Sequence, residues 1–210
     1  GLVGYSSGNI TGSSATVGSG TTYATGNVSA NWERVGGLVG FAEGGSISNV
    51  YATGNVTSTS SNYTGGLVGL NYVSLNSVTA TGNVTGQHQT GGLVGQNQAS
   101  INNATATGNV TGSNDVGGLA GINYWYAIGQ SGALLATGNV QGYDSVGGLV
   151  GRMYGNSRDQ LKGHKITVLM RSADFESANG YYEVSKCIFG CERCFVVVYA
   201  ALWCCMRFVS

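Results

Sequence analysis

The phrase Ala-Thr-Gly-Asn-Val occurs five times in this chain, at residues 24–28, 52–56, 80–84, 106–110 and 136–140. A second phrase alternates with it: Gly-Leu-Val-Gly at 1–4, 37–40, 66–69, 92–95 and 148–151, and Gly-Leu-Ala-Gly at 118–121. Self-similarity at such a period constrains the fold strongly, because one unit cannot bury its apolar residues alone and must stack on its neighbours. The Leu of the second phrase stands at 2, 38, 67, 93, 119 and 149, in steps of 36, 29, 26, 26 and 30. The two equal steps set the unit, and the longer ones read as insertions. From each Leu to the next repeated Asn the distance varies from 16 to 25 residues, whereas from that Asn to the next Leu it is 10 to 12. The insertions are therefore expected mostly between the Leu-Val and Ala-Thr-Gly-Asn-Val segments, as loops at one edge of the stack.

Around the first phrase the pattern has a period of two. One parity carries Val50, Ala52, Gly54 and Val56, then Val78, Ala80, Gly82 and Val84, then Ala104, Ala106, Gly108 and Val110, then Leu134, Ala136, Gly138 and Val140. The other carries Thr53 and Asn55, and their equivalents in every copy. That alternation describes a strand with one buried and one wet face. Gly, Thr, Asn and Val are poor helix formers, and no apolar 3.6-residue period appears. Small inward residues let opposite walls approach, and Gly36-Gly37 with its equivalents marks a tight corner or a close backbone contact. The expected fold is all-β: a parallel β-solenoid (β-helix) of about five to six coils over residues 1–151, with Leu, Ala and Val ladders inside and Thr and Asn ladders outside. At about 4.8 Å per coil, five coils make a rod about 24 Å tall. An antiparallel meander would need hairpin turns at short spacing, and their signals are weak here.

Composition agrees with a ladder-built body. Proline, which cannot donate to a sheet, is absent from all 210 residues. Residues 1–151 hold 33 of the 37 Gly and only five charged residues, Glu33, Arg34, Glu43, Asp115 and Asp144. One Arg against four acids gives −3 there, and eight bases against five acids give +3 in 152–210. Neither half has the dense basic face of a nucleic-acid binder, so no nucleic-acid partner is expected. The longest apolar stretch, 195–206, falls short of the roughly 20 residues that span a bilayer, so no membrane insertion is expected either. The chain opens inside a repeat phrase and reads as a piece of something longer, stacking on further repeats of the same chain.

Gly-Leu-Val-Gly at this spacing, with Ala-Thr-Gly-Asn-Val between, resembles the GLUG motif, in six copies over residues 1–151 and in none of 152–210. Proteins with such repeats are bacterial surface and secreted proteins, among them filamentous-haemagglutinin-like adhesins and the non-catalytic regions of immunoglobulin A-cleaving metallopeptidases. The resemblance implies an extracellular or cell-surface adhesin rod or stalk, not an enzyme, meeting a host surface protein or a glycan. The alternatives are an accessory repeat region of a secreted metallopeptidase and a glycan-active β-helix protein. The motif is structural and carries over no catalytic residue, cofactor or metal ligand. The metallopeptidase His-Glu-x-x-His is missing, and His88 and His164 each stand alone.

Asp115 and Asp144 precede corners in neighbouring repeats and could stack one coil apart. A calcium ion wants six to eight oxygens, however, so they read as two solvated corner residues. The Thr and Asn ladders read as structural; Asn stands where a second Thr would be needed for an ice-binding-like array. Seven Asn-x-Ser/Thr triplets read as by-products of a Thr-rich repeat. Aromatics fall in the insertions, namely Trp32, Phe41, Tyr63 and Tyr72, and the run Tyr124, Trp125, Tyr126 is the candidate contact loop. Such rings either stack on sugars or protein partners or fold down as lids on the core. After Gly151 the repeat is expected to stop. Residues 152–210 hold all five Cys, with Cys191 and Cys194 in a Cys-x-x-Cys, but zinc needs two well-spaced pairs. The tail reads as a cap, an unstructured end or a frameshift product, with short strands at 165–170 and 194–203.

Overall fold

The computed structural model describes residues 1–12, 22–59, 62–124, 128, 132–154 and, as backbone, 166–168. Every element among them is a strand. The strands build four parallel sheets, and each turn of the chain visits the four in order. The first sheet stacks Val3–Ser6, Val39–Ala42, Val68–Asn71, Val94–Asn97, Ala120–Tyr124 and Val150–Tyr154. The second stacks Ser46–Ala52, Ser74–Ala80, Ile101–Ala106, Leu134–Ala136 and Ile166–Val168, with Ile10–Thr11 and Thr22–Ala24 both lying on Ser46–Ala52. The third holds Val28–Ala30, Val56–Ser58, Val84–Thr85, Val110–Thr111 and Val140–Gln141. The fourth holds Val35–Gly36, Thr64–Gly65, His88–Gly91, Asn114–Gly117 and Asp144–Gly147. The predicted solenoid is thus observed, as five complete coils and the opening strands of a sixth.

Register pairs like with like: Val68 with Val94, Ala80 with Ala106, Val84 with Val110 and Gly91 with Gly117. The inward residues form two cores. Leu38, Leu67, Leu93 and Leu119 plug the larger one, between the first and second sheets, with Ile47, Leu75, Ile101 and Ile128 facing them. Val56, Val84 and Val110 build the smaller one with Val35 and Val116. A waist divides the two. There Gly37, Gly66, Gly92 and Gly118, each the first Gly of its phrase, meet the Ala of the second sheet: a Cβ placed on Gly92 would lie 3.2 Å from Ala106 Cβ and 2.2 Å from the Gly118 carbonyl oxygen of the next coil. Only hydrogen fits, and the sequence expectation of closely approaching walls has this as its cause.

Two columns of left-handed residues bend the strands. Asn49, Ser77 and Asn103 stand in one register position of the second sheet, at φ of 55°, 54° and 49°. Gln89, Asp115 and Ser145 stand in one position of the fourth, at 50°, 53° and 54°. Neither column is glycine, and a left-handed L-residue costs about 1–2 kcal/mol. Asn and Asp tolerate it, and Ser77 does so less well. Replacing Ser77 by glycine is therefore expected to raise stability by about 0.5–1 kcal/mol, after allowing for the freedom glycine gains in the unfolded chain. A higher urea midpoint at unchanged slope would show it.

The largest insertions do not emerge from a corner loop, as expected, but open inside the second sheet. Nine more residues separate Thr11 from Thr22 than separate the matching Ser48 and Val50. In the fifth coil Ile128 still bridges Ile101; one extra residue precedes it, and three follow it before Leu134. Both insertions enter at the left-handed column, where the strand is already bent. Smaller insertions fall elsewhere: one extra residue before Ser46, relative to Ser74, and two between Thr57 and Thr64, relative to Thr85 and Thr90. They do not share one edge.

The stack also runs past Gly151. Val150–Tyr154 extends the first sheet, and Ile166–Val168 pairs with Leu134–Ala136. Apolar-Thr-apolar at 166–168 is a degenerate copy of Val78, Thr79 and Ala80. The rest of the expected tail, including all five Cys, the segment 194–203 and His164, lies outside the described residues.

Candidate contact surface

Three side-chain files run along the stack. The first is the expected outer Asn ladder. Its bonds differ in kind from amide-to-amide stacking: Asn27 Oδ1 accepts the backbone N–H of Asn55, Asn55 that of Asn83, Asn83 that of Asn109 and Asn109 that of Asn139, each at 2.9 Å. The side chain stands in for a backbone acceptor where the chain turns from the second sheet to the third. This commits the Asn column to holding the corner.

A second Asn ladder escaped sequence reasoning and lies inside. Asn71, Asn97 and Asn123 are fully buried, three residues after Val68, Val94 and Ala120. Asn71 Nδ2 donates to Asn97 Oδ1 and Asn97 Nδ2 to Asn123 Oδ1, both at 2.7 Å. Asn71 also donates to the Val73 carbonyl at 2.8 Å, and Asn97 to that of Ala99. The signal was Asn two residues after Gly-Leu-x-Gly, visible in only three copies; Ala42 and Met153 take the place on either side.

The third file is aromatic. Tyr5, Phe41 and Tyr72 meet edge to face, with centroids 5.5 and 5.4 Å apart, and Arg34 lies 4.8 Å from the Phe41 ring centre. Tyr5 donates its hydroxyl to Glu43, a bond that holds its pKa above the ordinary value. One register position past the buried Asn ladder come Tyr72, Gln98, Tyr124 and Tyr154. Tyr124 and Tyr154 stack face to face at 4.7 Å and 7°. Phe41 and Tyr124 lie in strands and Tyr72 directly follows one, so these rings are not in the insertions as expected. They are neither core lids nor loop tips: they lean on one another along the outer surface. Trp32 does sit on a turn and is exposed. Trp125 and Tyr126 of the candidate contact loop lie outside the described residues, and Tyr124 is its described member.

The stacking of Asp115 on Asp144 that their places before neighbouring corners allowed does not occur, and the reading of both as solvated corner residues fails for Asp115. Register pairs Asn114 with Asp144, and Asp115 with Ser145. Asp115 is only 7% exposed. Arg152 reaches both acids, with Nε 2.7 Å from Asp115 Oδ1 in a close but poorly aligned ion pair and Nη2 3.4 Å from Asp144 Oδ2. Arg152 also donates to Ser145 at 2.9 Å. Burial pushes the Asp115 carboxyl above its ordinary pKa and Asp144 adds to this, while Arg152 pulls the other way. Burial likewise raises Tyr124, helped by Tyr154, Tyr63 and Asp115. The charged form of Asp115 therefore costs stability as pH rises from the unfolded value through the folded one. Without Arg152 that cost grows. Arg152→Met is expected to lose about 1–2 kcal/mol at neutral pH, the partial exposure of Arg152 keeping the figure low. The loss should vanish in acid, below about pH 3.8, where Asp115 is protonated in both states. Denaturation at pH 3 and pH 7 measures both ends.

Among the described residues no group of three His, Cys, Asp or Glu comes together as a metal site. His88 Nδ1 lies 3.2 Å from Asn114 Nδ2, its register partner in the fourth sheet.

The Gly-Leu-x-Gly phrase now has a physical reading at each position: Gly at the waist, Leu as plug, and a last Gly beneath the left-handed bend. A Cβ on Gly95 would lie 2.8 Å from the Gln89 carbonyl oxygen, and one on Gly151 2.6 Å from the Asp115 carbonyl carbon. The family model described as the GLUG motif matches residues 33–57 and 86–111. The chain carries GLUG-motif repeats. Each matched stretch of the GLUG chain is one turn of the solenoid, beginning at the fourth sheet and ending on the third. The other GLUG phrases, at 1–4, 66–69, 118–121 and 148–151, occupy the same register in the first sheet. No curated protein and no solved structure matches the GLUG chain.

Proposed function

We propose that this GLUG-repeat protein works outside the cell as a non-enzymatic rod, the adhesin shaft or stalk of a bacterial surface or secreted protein, and meets a host surface protein or a glycan along its side. One observation carries the reading: every coil repeats the register of the last, giving a rigid body whose length is set by repeat number. Two features support it. The body is wetted by Ser, Thr, Asn and Gln rather than by charge, with five charged residues in 1–151. An aromatic file that the core does not need lies along one face, and exposed rings suit contact with sugars and proteins. Further repeats of the same chain would stack on its ends, as the open strands of a solenoid require.

The full chain, coupled to fluorescent beads, is expected to bind selected spots of a host-matrix and glycan array, and to be cleaved by protease added to intact producing cells. Beads that bind nothing, a chain protected inside the cell, or turnover of polysaccharide by the purified chain would each overturn this reading.

A further inference from the structure

The smaller core holds three polar side chains. Ser58, Thr64 and Thr90 are 2%, 0% and 0% exposed, and among the described residues none of their hydroxyls has a hydrogen-bond partner. All three come from the second and third coils. Along the fourth sheet one register column reads Val35, Thr64, Thr90, Val116 and Val146, so the two Thr stand where the other three coils place Val. Ser58 stands above Ala30 in the third sheet. The atoms nearest to a Cβ on Gly86 would be Thr90 Oγ1 and Thr64 Oγ1, so both hydroxyls turn toward a residue with no polar side chain to offer. A hydroxyl buried in this way has given up its bond to water and gained none in return.

The same two coils contribute little apolar surface there. They give the smaller core one buried Val each, Val56 and Val84, whereas the fourth coil gives two, Val110 and Val116. In the larger core they contribute Leu38, Ile47 and Val50, and Leu67, Leu75 and Val78. The two cores are separate clusters, with the Gly–Ala waist between them. We propose that Val56–Ser58, Thr64–Gly65, Val84–Thr85 and His88–Gly91 form a flap, which parts from the body by local opening while the larger, Leu-plugged core stays closed. Opening returns water to the three hydroxyls, which lowers its cost relative to the neighbouring coils. The flap ends at the fourth coil, where Val116 replaces Thr. It gives the shaft one compliant side, whatever the shaft binds and wherever it works.

Hydrogen exchange under native conditions, read at single amides of the full chain by NMR, tests this. Gly86 N–H donates to the Thr111 carbonyl and Gly112 N–H to that of Gln141, both at 2.9 Å and one coil apart in the same position. Leu67 N–H, donating to the Leu93 carbonyl, reports the larger core in the same coil as Gly86. Protection at Gly86 is expected to lie about 5–30-fold below that at Gly112 and Leu67. Thr64→Val combined with Thr90→Val copies the residue already present at 35, 116 and 146. It should bring Gly86 to the level of Gly112 and leave Leu67 where it was. Ser58→Ala removes the third hydroxyl without adding a methyl, and should move Gly86 the same way. Thr57→Val, on the exposed side of the same strand, should leave Gly86 unchanged. Equal protection at Gly86 and Gly112 in the parent overturns the proposal. Lower protection in the valine pair or in Ser58→Ala also overturns it, since the hydroxyls then hold a partner in solution, such as a trapped water. An equal gain at Leu67 overturns it as well, because the two cores then open as one unit.

Discussion

Asn97→Ala is expected to lower stability by about 3–5 kcal/mol, the largest loss from any single side chain discussed. Three hydrogen bonds leave with the amide: one from Asn71, one to Asn123 and one to the Ala99 carbonyl. Each buried polar group left without its partner costs about 1–3 kcal/mol. Asn71 keeps its bond to Val73, so its share is at the low end. The cavity adds to the loss, since a coil held on both sides cannot collapse into it. Asn97→Leu discriminates between the two causes. It restores volume but none of the amide bonds, and should remain within about 1 kcal/mol of the alanine variant. Recovery by Leu of most of the lost stability would show that packing, not the amide ladder, holds the position. Urea denaturation followed by far-UV circular dichroism gives the totals. Hydrogen exchange should show protection lost first in coils three to five, because a stacked repeat protein opens locally.

Gly92→Ala is expected to cost about 3 kcal/mol. The added methyl would lie 2.2 Å from the Gly118 carbonyl oxygen, which belongs to backbone and cannot turn away. Its second neighbour, Ala106 Cβ at 3.2 Å, is tight but tolerable. Overpacking of this kind costs about 1–3 kcal/mol, and a clash with backbone lies at the upper end. The companion change Ala106→Gly removes the tolerable contact and leaves the severe one, so the double variant should recover little. Full rescue by Ala106→Gly would mean that the side chain across the waist, rather than the next coil, sets the requirement. Either outcome is read from the shift in urea midpoint.

Sequence and structure agree where a rule acts on every coil. The Leu ladder, the inward Val and Ala and the outward Asn at the corner repeat in each copy, so spacing and parity alone place them. They part where a rule acts on a few coils or on backbone. The inner Asn ladder occupies three coils only, and beside it Leu70, Gln96 and Ile122 vary too much to mark a shared position. The left-handed columns are filled by Asn, Ser, Gln, Asp and, in the first coil, Arg34, and no single residue type announces them. Phe41 and Tyr72 looked like insertion residues because the insertions could not be placed to the residue; register then set them on strands or at their ends. Asp115 and Asp144 failed for a similar reason, a one-residue offset that separates stacking from mere proximity. Arg152, beyond the last repeat phrase, had no pattern tying it to either acid.

The waist has a consequence for how such a protein changes over generations. The third and fourth turns carry the same upper and lower contacts, down to the Gly–Ala closure, so a duplicated stretch of 26 residues can be spliced in between them without refitting its neighbours. Reach then becomes a heritable quantity adjusted in steps of about 4.8 Å.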